Sequence, residues 1–368
     1  MTAPAAPAER LYILDTLRGI AALSVVFWHW QHFFYVGDTP SNFDPTQQPF
    51  YTTMEPFYHY GGLAVQLFFT ISGFVFFWLF ANGIGSRKVT PRAFAIDRFS
   101  RLYPLHLATF LLVAALQMAY LAQHASSFVY PFNDGYHALL NLLLAPAWGL
   151  EKGWSFNAPI WSVSVEVLLY ATFFVICLAG SWRWLLAVVA CGVGLMLYPE
   201  SYKVGSGLLC FYIGGIAYGL LQQLRLRLGS GRAVAASSII ALTAWAYQFA
   251  LADAVNSYLI MCLCFPATLV MLAAAGLYWP GLLRSTAWVG DISYASYLLH
   301  FPLQILFAMV MDKLGLARTV FNQPWVMLAF FTVLIPLSLA CHQWFERPAQ
   351  RYLRGCKLAG QRTGKAVS

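Results

Sequence analysis

The chain has 368 residues, of which 60% are hydrophobic and only 10% are charged. An ordinary globular protein is about 45–50% apolar and about 25% charged. The number of charged residues is too small to cover the surface of a soluble protein of this size. The same composition excludes the disordered, collagen-like and disulfide-scaffold classes of protein. The sequence therefore predicts a protein that resides in lipid.

Ten apolar segments are long enough to cross a bilayer, which takes about 20 residues per helix. They occupy approximately residues 11–35, 60–81, 98–122, 158–179, 182–199, 204–222, 233–251, 254–277, 290–312 and 323–345. A further apolar stretch at 137–150 is shorter and contains Pro146, so we expect a re-entrant or interfacial piece there. The expected fold is an all-α polytopic membrane protein with about ten transmembrane helices in one bundle.

The net charge is +8, from 22 Lys and Arg against 14 Asp and Glu. The positions of these basic residues indicate how the chain is oriented in the membrane. In a soluble protein such an excess would suggest nucleic acid, which we do not expect here. An even number of spans places both ends on one side of the membrane. With the N-terminus inside, the inner loops and ends hold 17 Lys and Arg, against 4 in the outer loops. The positive-inside rule therefore predicts cytoplasmic termini, in the cell (inner) membrane.

These spans divide the chain into a cytoplasmic segment 1–10, a transmembrane domain 11–346 and a basic cytoplasmic tail 347–368. The two long loops, about 36–59 and 123–157, both face outside and are rich in aromatic and polar residues. Such a surface is typical of sugar binding or of contact with lipid headgroups.

The cysteines show no metal-ligand spacing, so we expect no metal. The sequence does not indicate an oligomeric state.

The first span contains three ionisable residues, Asp15, Arg18 and His29. Ionisable groups inside a span cost several kcal/mol and usually mark a pathway or a site. In an α-helix, the eleven residues from Arg18 to His29 correspond to a rise of about 16.5 Å and to about 20° beyond three full turns. We therefore expect a guanidinium near the inner surface and an imidazole near the outer one, on the same helix face.

Polar residues recur at helical spacing in later spans. They are Ser72 in the second span, Trp161, Ser162 and Glu166 in the fourth, and Ser293, Tyr297 and His300 in the ninth. At the start of the third span, Arg98 and Arg101 repel each other unless an anion lies between them. Alternative interpretations are membrane anchoring for the two arginines and hydrogen bonds to the helix backbone for the serines.

Six short runs follow one another along the chain. They are Leu17-Arg18-Gly19 to Trp28-His29, Phe68 to Phe74, Arg98 to Pro104, Trp161-Ser162 through Glu166, Ser293-Tyr294 through His300-Phe301-Pro302, and Phe345 to Pro348. In type and order they resemble the motifs of the acyltransferase-3 family of integral membrane acyltransferases. The resemblance covers about nine-tenths of the chain.

This resemblance implies O-acylation, usually O-acetylation, of a carbohydrate or another hydroxylated acceptor, with acetyl-CoA as the donor. The acceptors it implies include exopolysaccharide, O-antigen and glycolipid. Because coenzyme A carries phosphates at one end and the thioester at the other, Arg18, Arg98 and Arg101 are expected to hold the phosphates at the cytoplasmic mouth. His29 is then expected to act as general base on the acceptor hydroxyl, or to carry the acyl group on nitrogen.

The remaining candidate residues are expected to assist His29 or to line the path of the substrates. Glu166 is expected to fix the tautomer of His29 and to stabilise its imidazolium form. Residues expected to line the substrate path are Ser72, Trp161, Ser162, Ser293, Tyr297 and His300. Two other functions are also compatible with charged residues inside the membrane, namely a transporter and a flippase or scaffold subunit for envelope glycan and lipid precursors. Acceptor-dependent release of free CoA distinguishes an acyltransferase from both.

Overall fold

The computed structural model describes residues 10–41, 43–251 and 255–363. The predicted segment 1–10 lies outside this description except for Arg10, and so does the end of the predicted tail, 364–368. The α-helices are α1 Tyr12–Trp28, α2 Tyr51–Tyr60, α3 Ala64–Leu79, α4 Ala81–Gly85, α5 Pro91–Leu121, α6 Gly135–Leu142, α7 Trp161–Leu178, α8 Arg183–Leu197, α9 Tyr202–Leu228, α10 Ser230–Leu251, α11 Ser257–Leu259, α12 Phe265–Tyr278, α13 Ala287–Asp291, α14 Ser293–Lys313, α15 Pro324–Cys341 and α16 Arg347–Thr363.

Within the described residues, nine helical segments are long and apolar enough to cross a membrane. They are Tyr51–Leu79, Pro91–Leu121, Ala158–Leu178, Gly180–Leu197, Tyr202–Leu228, Ser230–Ala250, Ser257–Tyr278, Ser293–Lys313 and Pro324–Gly355. The first predicted span corresponds to the 17-residue helix α1 and the 3₁₀ helix His29–Phe34 that follows it directly. Each of the ten predicted spans therefore coincides with a helix, and the all-α polytopic fold is confirmed.

Several boundaries differ from the prediction for local reasons. Helix α5 begins at Pro91, before the predicted start at residue 98, because the Thr90 hydroxyl accepts a hydrogen bond from the Ala93 N–H and proline suits the first helical position. The predicted re-entrant stretch contains the eight-residue helix α6, too short to span. The first span changes from α to 3₁₀ geometry at His29.

The described chain forms two compact units. The first comprises the chain up to Ile20, Gln66–Val89 and Leu169–Asp291, and the second comprises Ala21–Val65, Thr90–Leu168 and the chain from Ile292 onward. In the first unit, helices α3 and α9 touch at glycines: a Cβ at Gly73 would overlap the Phe211 carbonyl, and one at Gly214 would overlap that of Thr70. Small residues allow this close approach, as is usual between membrane helices.

The outward side chains of α8 show how this unit meets its surroundings. Leu185, Val188, Val189, Val193 and Met196 are all exposed, and Met196 retains 80% of its accessible surface. A helix in water would place polar residues on such a face. The apolar exposure of α8 is therefore the pattern expected for contact with lipid.

In the second unit, aromatic side chains hold the 3₁₀ helix His29–Phe34 in place. The Trp30 indole N–H donates to the Phe321 carbonyl over 2.9 Å, and the rings of Phe33 and Phe321 stack with centroids 3.8 Å apart. Trp30 and Phe33 are fully buried. Because buried aromatic rings contribute large contact areas, this packing fixes the direction in which the helix presents its remaining side chains.

The loop that follows carries a small hairpin, β1 Tyr35–Val36 paired antiparallel with β2 Thr39–Pro40, and then the short turn Pro45–Gln47. Asp44 caps this turn by accepting hydrogen bonds from the Thr46 hydroxyl and N–H and from the Gln47 amide. These bonds favour the carboxylate and lower the pKa of Asp44 below its ordinary value. Three residues after this turn, α2 begins at Tyr51.

Side chains hold the second long loop near its start and at the short helix in its middle. The Gln117 amide donates to the Phe128 carbonyl over 2.9 Å and accepts from the Phe128 N–H over 3.0 Å. Asp134 caps α6 by accepting from the His137 N–H and imidazole, which lowers the pKa of the Asp134 carboxyl. Hydrogen bonds to side chains thus replace regular secondary structure in this loop.

Replacing Gln117 with leucine is expected to destabilise the fold by about 1–3 kcal/mol, the cost of one buried unsatisfied group. The change leaves the buried N–H of Phe128 without its Gln117 partner, whereas the Phe128 carbonyl still accepts from the Tyr130 N–H over 2.7 Å. A thermal unfolding scan of the purified protein measures the loss. The exposed Gln123→Leu is the matched control, and equal midpoints for the two variants would contradict the prediction.

Candidate active site

Three imidazoles meet inside the second unit. His29 and His32 are one turn apart on the 3₁₀ helix, where residues at i and i+3 lie on the same side. The ring centroid of His29 lies 4.5 Å from that of His32 and 4.9 Å from that of His300 on α14. The exposed fractions of His29, His32 and His300 are 6%, 5% and 0%. The 3₁₀ geometry that follows α1 therefore contributes two of the three rings to one buried cluster.

Hydrogen bonds determine which nitrogen of each ring carries the proton. The Nδ1 of His300 lies 2.6 Å from the Tyr297 carbonyl oxygen, which only accepts, so this Nδ1 is protonated. In neutral His300 the Nε2 is then a lone pair, and it accepts from the Nδ1–H of His29 over 2.9 Å. The Nε2 of neutral His29 consequently keeps its lone pair, as a general base requires.

Gln304, which is completely buried, links the other two histidines. Its amide N–H donates to the backbone carbonyl of His29 over 2.9 Å, so its oxygen faces His32 and accepts from that Nδ1–H over 3.1 Å. His32 and Gln304 were not among the residues predicted from the sequence. Their spacing gave a usable signal, because His32 follows His29 by three residues and Gln304 follows His300 by four.

The structure brings together two more of the predicted residues, Ser162 and Tyr297. Their hydroxyl oxygens are 2.9 Å apart, and the Tyr297 hydroxyl also donates to the Pro159 carbonyl over 2.8 Å. Because the Tyr297 carbonyl holds His300, this contact connects the start of α7 to the imidazole cluster. Nearby, the buried Asn157 amide donates to the Leu298 carbonyl over 3.0 Å.

A second polar cluster surrounds Tyr294 on α14. Its hydroxyl donates to the Leu102 carbonyl over 2.6 Å and interacts electrostatically with Arg101, Glu166 and Glu346. Glu346 is 1% exposed, and one of its oxygens lies 2.7 Å from the Nδ1 of His342. The prediction gave Glu166 the task of fixing the tautomer of His29, whereas the partner of His29 Nδ1 in the structure is His300.

The predicted phosphate-binding arginines lie on the first turns of α5, with acidic and basic neighbours. Arg98 forms an ion pair with Asp97, and the other oxygen of Asp97 lies 2.9 Å from a guanidinium nitrogen of Arg354 on α16. Arg354 also donates to the Ser100 hydroxyl over 3.3 Å. Two guanidinium groups thus flank one carboxylate, which leaves this group with a net positive charge, while Arg101 interacts with Tyr294 in the neighbouring cluster. Asp97 and Arg354 were missed because their proximity depends on how α16 packs against α5.

The other residues predicted to bind or line the path of the substrates are in neither of these two clusters. In the first unit, Arg18 donates to the Gly290 carbonyl over 2.8 Å, and Ser72 lies half-buried on α3. In the second unit, Trp161 begins α7 with its ring 6.5 Å from that of Trp154, and Ser293 is buried at the start of α14. Their predicted functions in substrate binding stay predictions.

The described residues include no group of three or more His, Cys, Asp or Glu side chains arranged to hold a metal ion. The three imidazoles instead bind one another, a backbone carbonyl and the Gln304 amide. Such a cluster has the components of nucleophilic acyl transfer: a buried base with a free nitrogen, and a second group that orients it.

Comparisons with known proteins agree with this chemistry. The chain is 29% identical to acyltransferase MdmB of Streptomyces mycarofaciens, over 94% of this chain and 92% of that protein. It is 36% identical to protein 2 in the picA locus of Rhizobium radiobacter, over 30% of this chain and 47% of that protein. No solved structure matches the chain. The acyltransferase domain that defines the acyltransferase-3 family matches residues 11–343, and the chain therefore belongs to this family of membrane acyltransferases.

Proposed function

We propose that the protein transfers a short acyl group, acetyl, from acetyl-CoA bound from the cytoplasm to a hydroxyl group of a carbohydrate or glycolipid acceptor. The observation that carries the proposal is the hydrogen bond between His29 Nδ1 and His300 Nε2, since it leaves the other nitrogen of His29 free to accept a proton. Membership of an acyltransferase family supports the reaction class. We assign the protein to the cell inner membrane.

In the proposed reaction, His29 Nε2 removes the proton from the acceptor hydroxyl while the hydroxyl oxygen attacks the thioester carbonyl carbon. The carbon–sulfur bond then breaks, and the thiolate of CoA takes the proton back from the imidazolium. The products are an acyl ester and free CoA. General base catalysis of this kind contributes about 10²–10⁴-fold to a rate. His300 accepts from Nδ1 throughout and so stabilises the imidazolium.

The donor's phosphates are proposed to bind to Arg98 and Arg354, which flank Asp97, and to Arg101, which lies one turn further along α5 than Arg98. Guanidinium groups recognise phosphate oxygens through paired hydrogen bonds. Asp97 neutralises part of the charge and orients Arg98 and Arg354 by direct contact. Arg18 remains a predicted phosphate ligand, and the path-lining functions predicted for Ser72, Trp161, Ser162, Ser293 and Tyr297 remain part of the proposal.

Free CoA release by the purified full-length protein tests this function. We expect acetyl-CoA to be consumed only when a hydroxylated acceptor is present, with one ester formed for each CoA released. A transporter or flippase would bind or move its ligand without cleaving the thioester. Acceptor-independent turnover at the same rate, or no turnover with any glycoside, polysaccharide or glycolipid, would contradict the proposal.

Replacing Arg101 with alanine is expected to weaken acetyl-CoA binding about 10- to 100-fold, because one charge-assisted interaction contributes about 1.5–3 kcal/mol. Arg101→Lys keeps the charge and should retain part of the affinity. The loss should shrink at high salt, which screens the interaction with phosphate. Equilibrium binding of labelled acetyl-CoA measures it, with the exposed Arg92→Ala on the same helix as control. Equal affinities for both alanine variants would exclude Arg101 from the donor site.

A further inference from the structure

A cavity of about 210 Å³ lies in the second unit. It is formed by the end of α1, the 3₁₀ helix that follows, the loop after the β-hairpin and the last turn of α2. Its lining includes Trp28, Gln31, Phe43, Gln48, Tyr58 and His59. By the share of liquid volume that one water occupies, about 30 Å³, the space corresponds to about seven water molecules. This is the size of one sugar ring.

One wall of the cavity touches the proposed base. The ring centroids of Trp28 and His29 are 4.7 Å apart, so the indole contacts the imidazole and also lines the cavity. The Trp28 indole therefore connects the cavity to the residue that is proposed to deprotonate the acceptor.

Gln48, one of the residues that line the cavity, has an unsatisfied hydrogen-bond acceptor. The residue is 5% exposed, and its amide N–H donates to the Pro45 carbonyl over 3.3 Å. Its side-chain oxygen Oε1 is buried and has no hydrogen-bond partner among the residues that the structure describes. Because buried polar groups are normally paired, this oxygen is suited to accept a hydrogen bond from a ligand hydroxyl. The capped turn Pro45–Gln47 fixes the approach to Gln48.

The lining combines aromatic and neutral polar groups. Trp28, Phe43 and Tyr58 provide apolar faces, and Gln31, Gln48 and His59 provide polar groups. The Tyr58 hydroxyl is directed to the Pro49 carbonyl over 2.8 Å, which holds the tyrosine ring in position. Aromatic walls with a few placed polar groups are typical of small-ligand sites. The described part of the lining has no Asp, Glu, Lys or Arg side chain, which favours an uncharged ligand.

We infer that this cavity is the acceptor site and that it binds a single neutral sugar ring, with Gln48 Oε1 accepting from a ring hydroxyl and Trp28 covering an apolar face of the ring. The inference rests on the proposed function and names the place and class of its acceptor. A neutral sugar ring occurs both in a soluble glycoside and in the headgroup of a glycolipid. The experiment therefore tests both kinds of molecule as ligands of the cavity.

Binding is measured without acetyl-CoA on the full-length His29→Ala protein, in which the residues that line the cavity are unchanged. The protein is reconstituted in phospholipid nanodiscs after purification in a detergent that carries no sugar headgroup. Saturation-transfer NMR then follows methyl β-D-glucopyranoside, methyl α-D-mannopyranoside and methyl β-D-galactopyranoside in solution. A second arm places the corresponding octadecyl glycosides in the nanodisc, and methyl glucuronide serves as the charged probe.

We expect at least one neutral ring to bind and methyl glucuronide to bind at least tenfold more weakly. Adding Gln48→Leu should weaken the neutral ring about three- to tenfold, the contribution of one ordinary hydrogen bond, and Trp28→Ala should weaken it further. The exposed Gln123→Leu is the matched control. Binding in the solution arm indicates a free glycoside as acceptor, and binding confined to the nanodisc arm indicates a glycolipid.

The active protein gives a second measurement. Gln48→Leu should raise the KM for the sugar acceptor while the Kd for acetyl-CoA stays within twofold of the parent. Unchanged sugar binding in both Gln48→Leu and Trp28→Ala, with normal unfolding midpoints, would overturn the cavity assignment and leave the proposed reaction standing. Sugar binding that depends on Gln48, without acyl transfer to any glycoside in the active protein, would support the cavity and count against the proposed reaction.

Discussion

His29→Ala is expected to lower the rate of acyl transfer about 10²- to 10⁴-fold, with acetyl-CoA affinity nearly unchanged. The substitution removes the nitrogen that accepts the hydroxyl proton, and general base catalysis contributes a factor of this size. The phosphate-binding arginines of α5 are left intact. The measurement is acceptor-dependent CoA release at saturating donor, together with equilibrium binding of labelled acetyl-CoA to the same preparation.

His124→Ala is the matched control, since His124 lies near the end of α5 and contacts Tyr120 and Asp312, outside the imidazole cluster. It should keep nearly full activity. Full activity in His29→Ala would refute the proposed mechanism. Loss of donor binding in the same variant would instead show that His29 holds the donor.

Isotope exchange separates the two functions that the sequence leaves open for His29. If the imidazole carries the acyl group on nitrogen, the wild-type enzyme exchanges labelled CoA into acetyl-CoA without any acceptor. If it acts as a general base, exchange requires the acceptor. In either case His29→Ala abolishes the exchange.

His300→Phe is expected to lower kcat about 10²- to 10³-fold with little change in the KM for acetyl-CoA. The aromatic ring fills the site, but it offers no acceptor for the Nδ1–H of His29, so the imidazole loses the partner that fixes its tautomer. Loss of the group that orients a catalytic histidine lowered kcat about 10⁴-fold in a serine protease. Steady-state kinetics with varied donor and acceptor measure this effect.

His300→Gln provides the diagnostic comparison, because its amide oxygen reaches the position of Nε2 and accepts from His29. The expected order of kcat is wild type, then Gln, then Phe. A residue that only fills space would lose stability in both variants and would show no rescue by glutamine. Equal kcat values for the two variants, each with an unchanged unfolding midpoint, would show that His300 does not position His29.

The sequence determined the membrane architecture because lipid imposes a simple requirement. A segment of about 20 apolar residues has to satisfy its backbone hydrogen bonds internally, and it does so as a helix. All ten predicted spans coincide with helices for this reason. The sequence could not show that the first span changes to 3₁₀ geometry at His29, because that change depends on the packing of Trp30 and Phe33 against Phe321.

For the candidate site, too, the sequence identified several of the residues, and the tertiary structure decided their hydrogen-bond partners. The sequence alone identified His29, His300, Arg98 and Arg101, because ionisable groups are costly inside a membrane span and stand out there. It did not determine their partners, since a hydrogen bond between residues 271 positions apart depends on how distant helices pack. Tertiary structure alone decided that His300 binds His29 Nδ1, that Gln304 joins His29 to His32, and that Asp97 lies between Arg98 and Arg354. The physical reason is that lipid selects residue types one span at a time, whereas hydrogen bonds depend on positions accurate to a few tenths of an ångström.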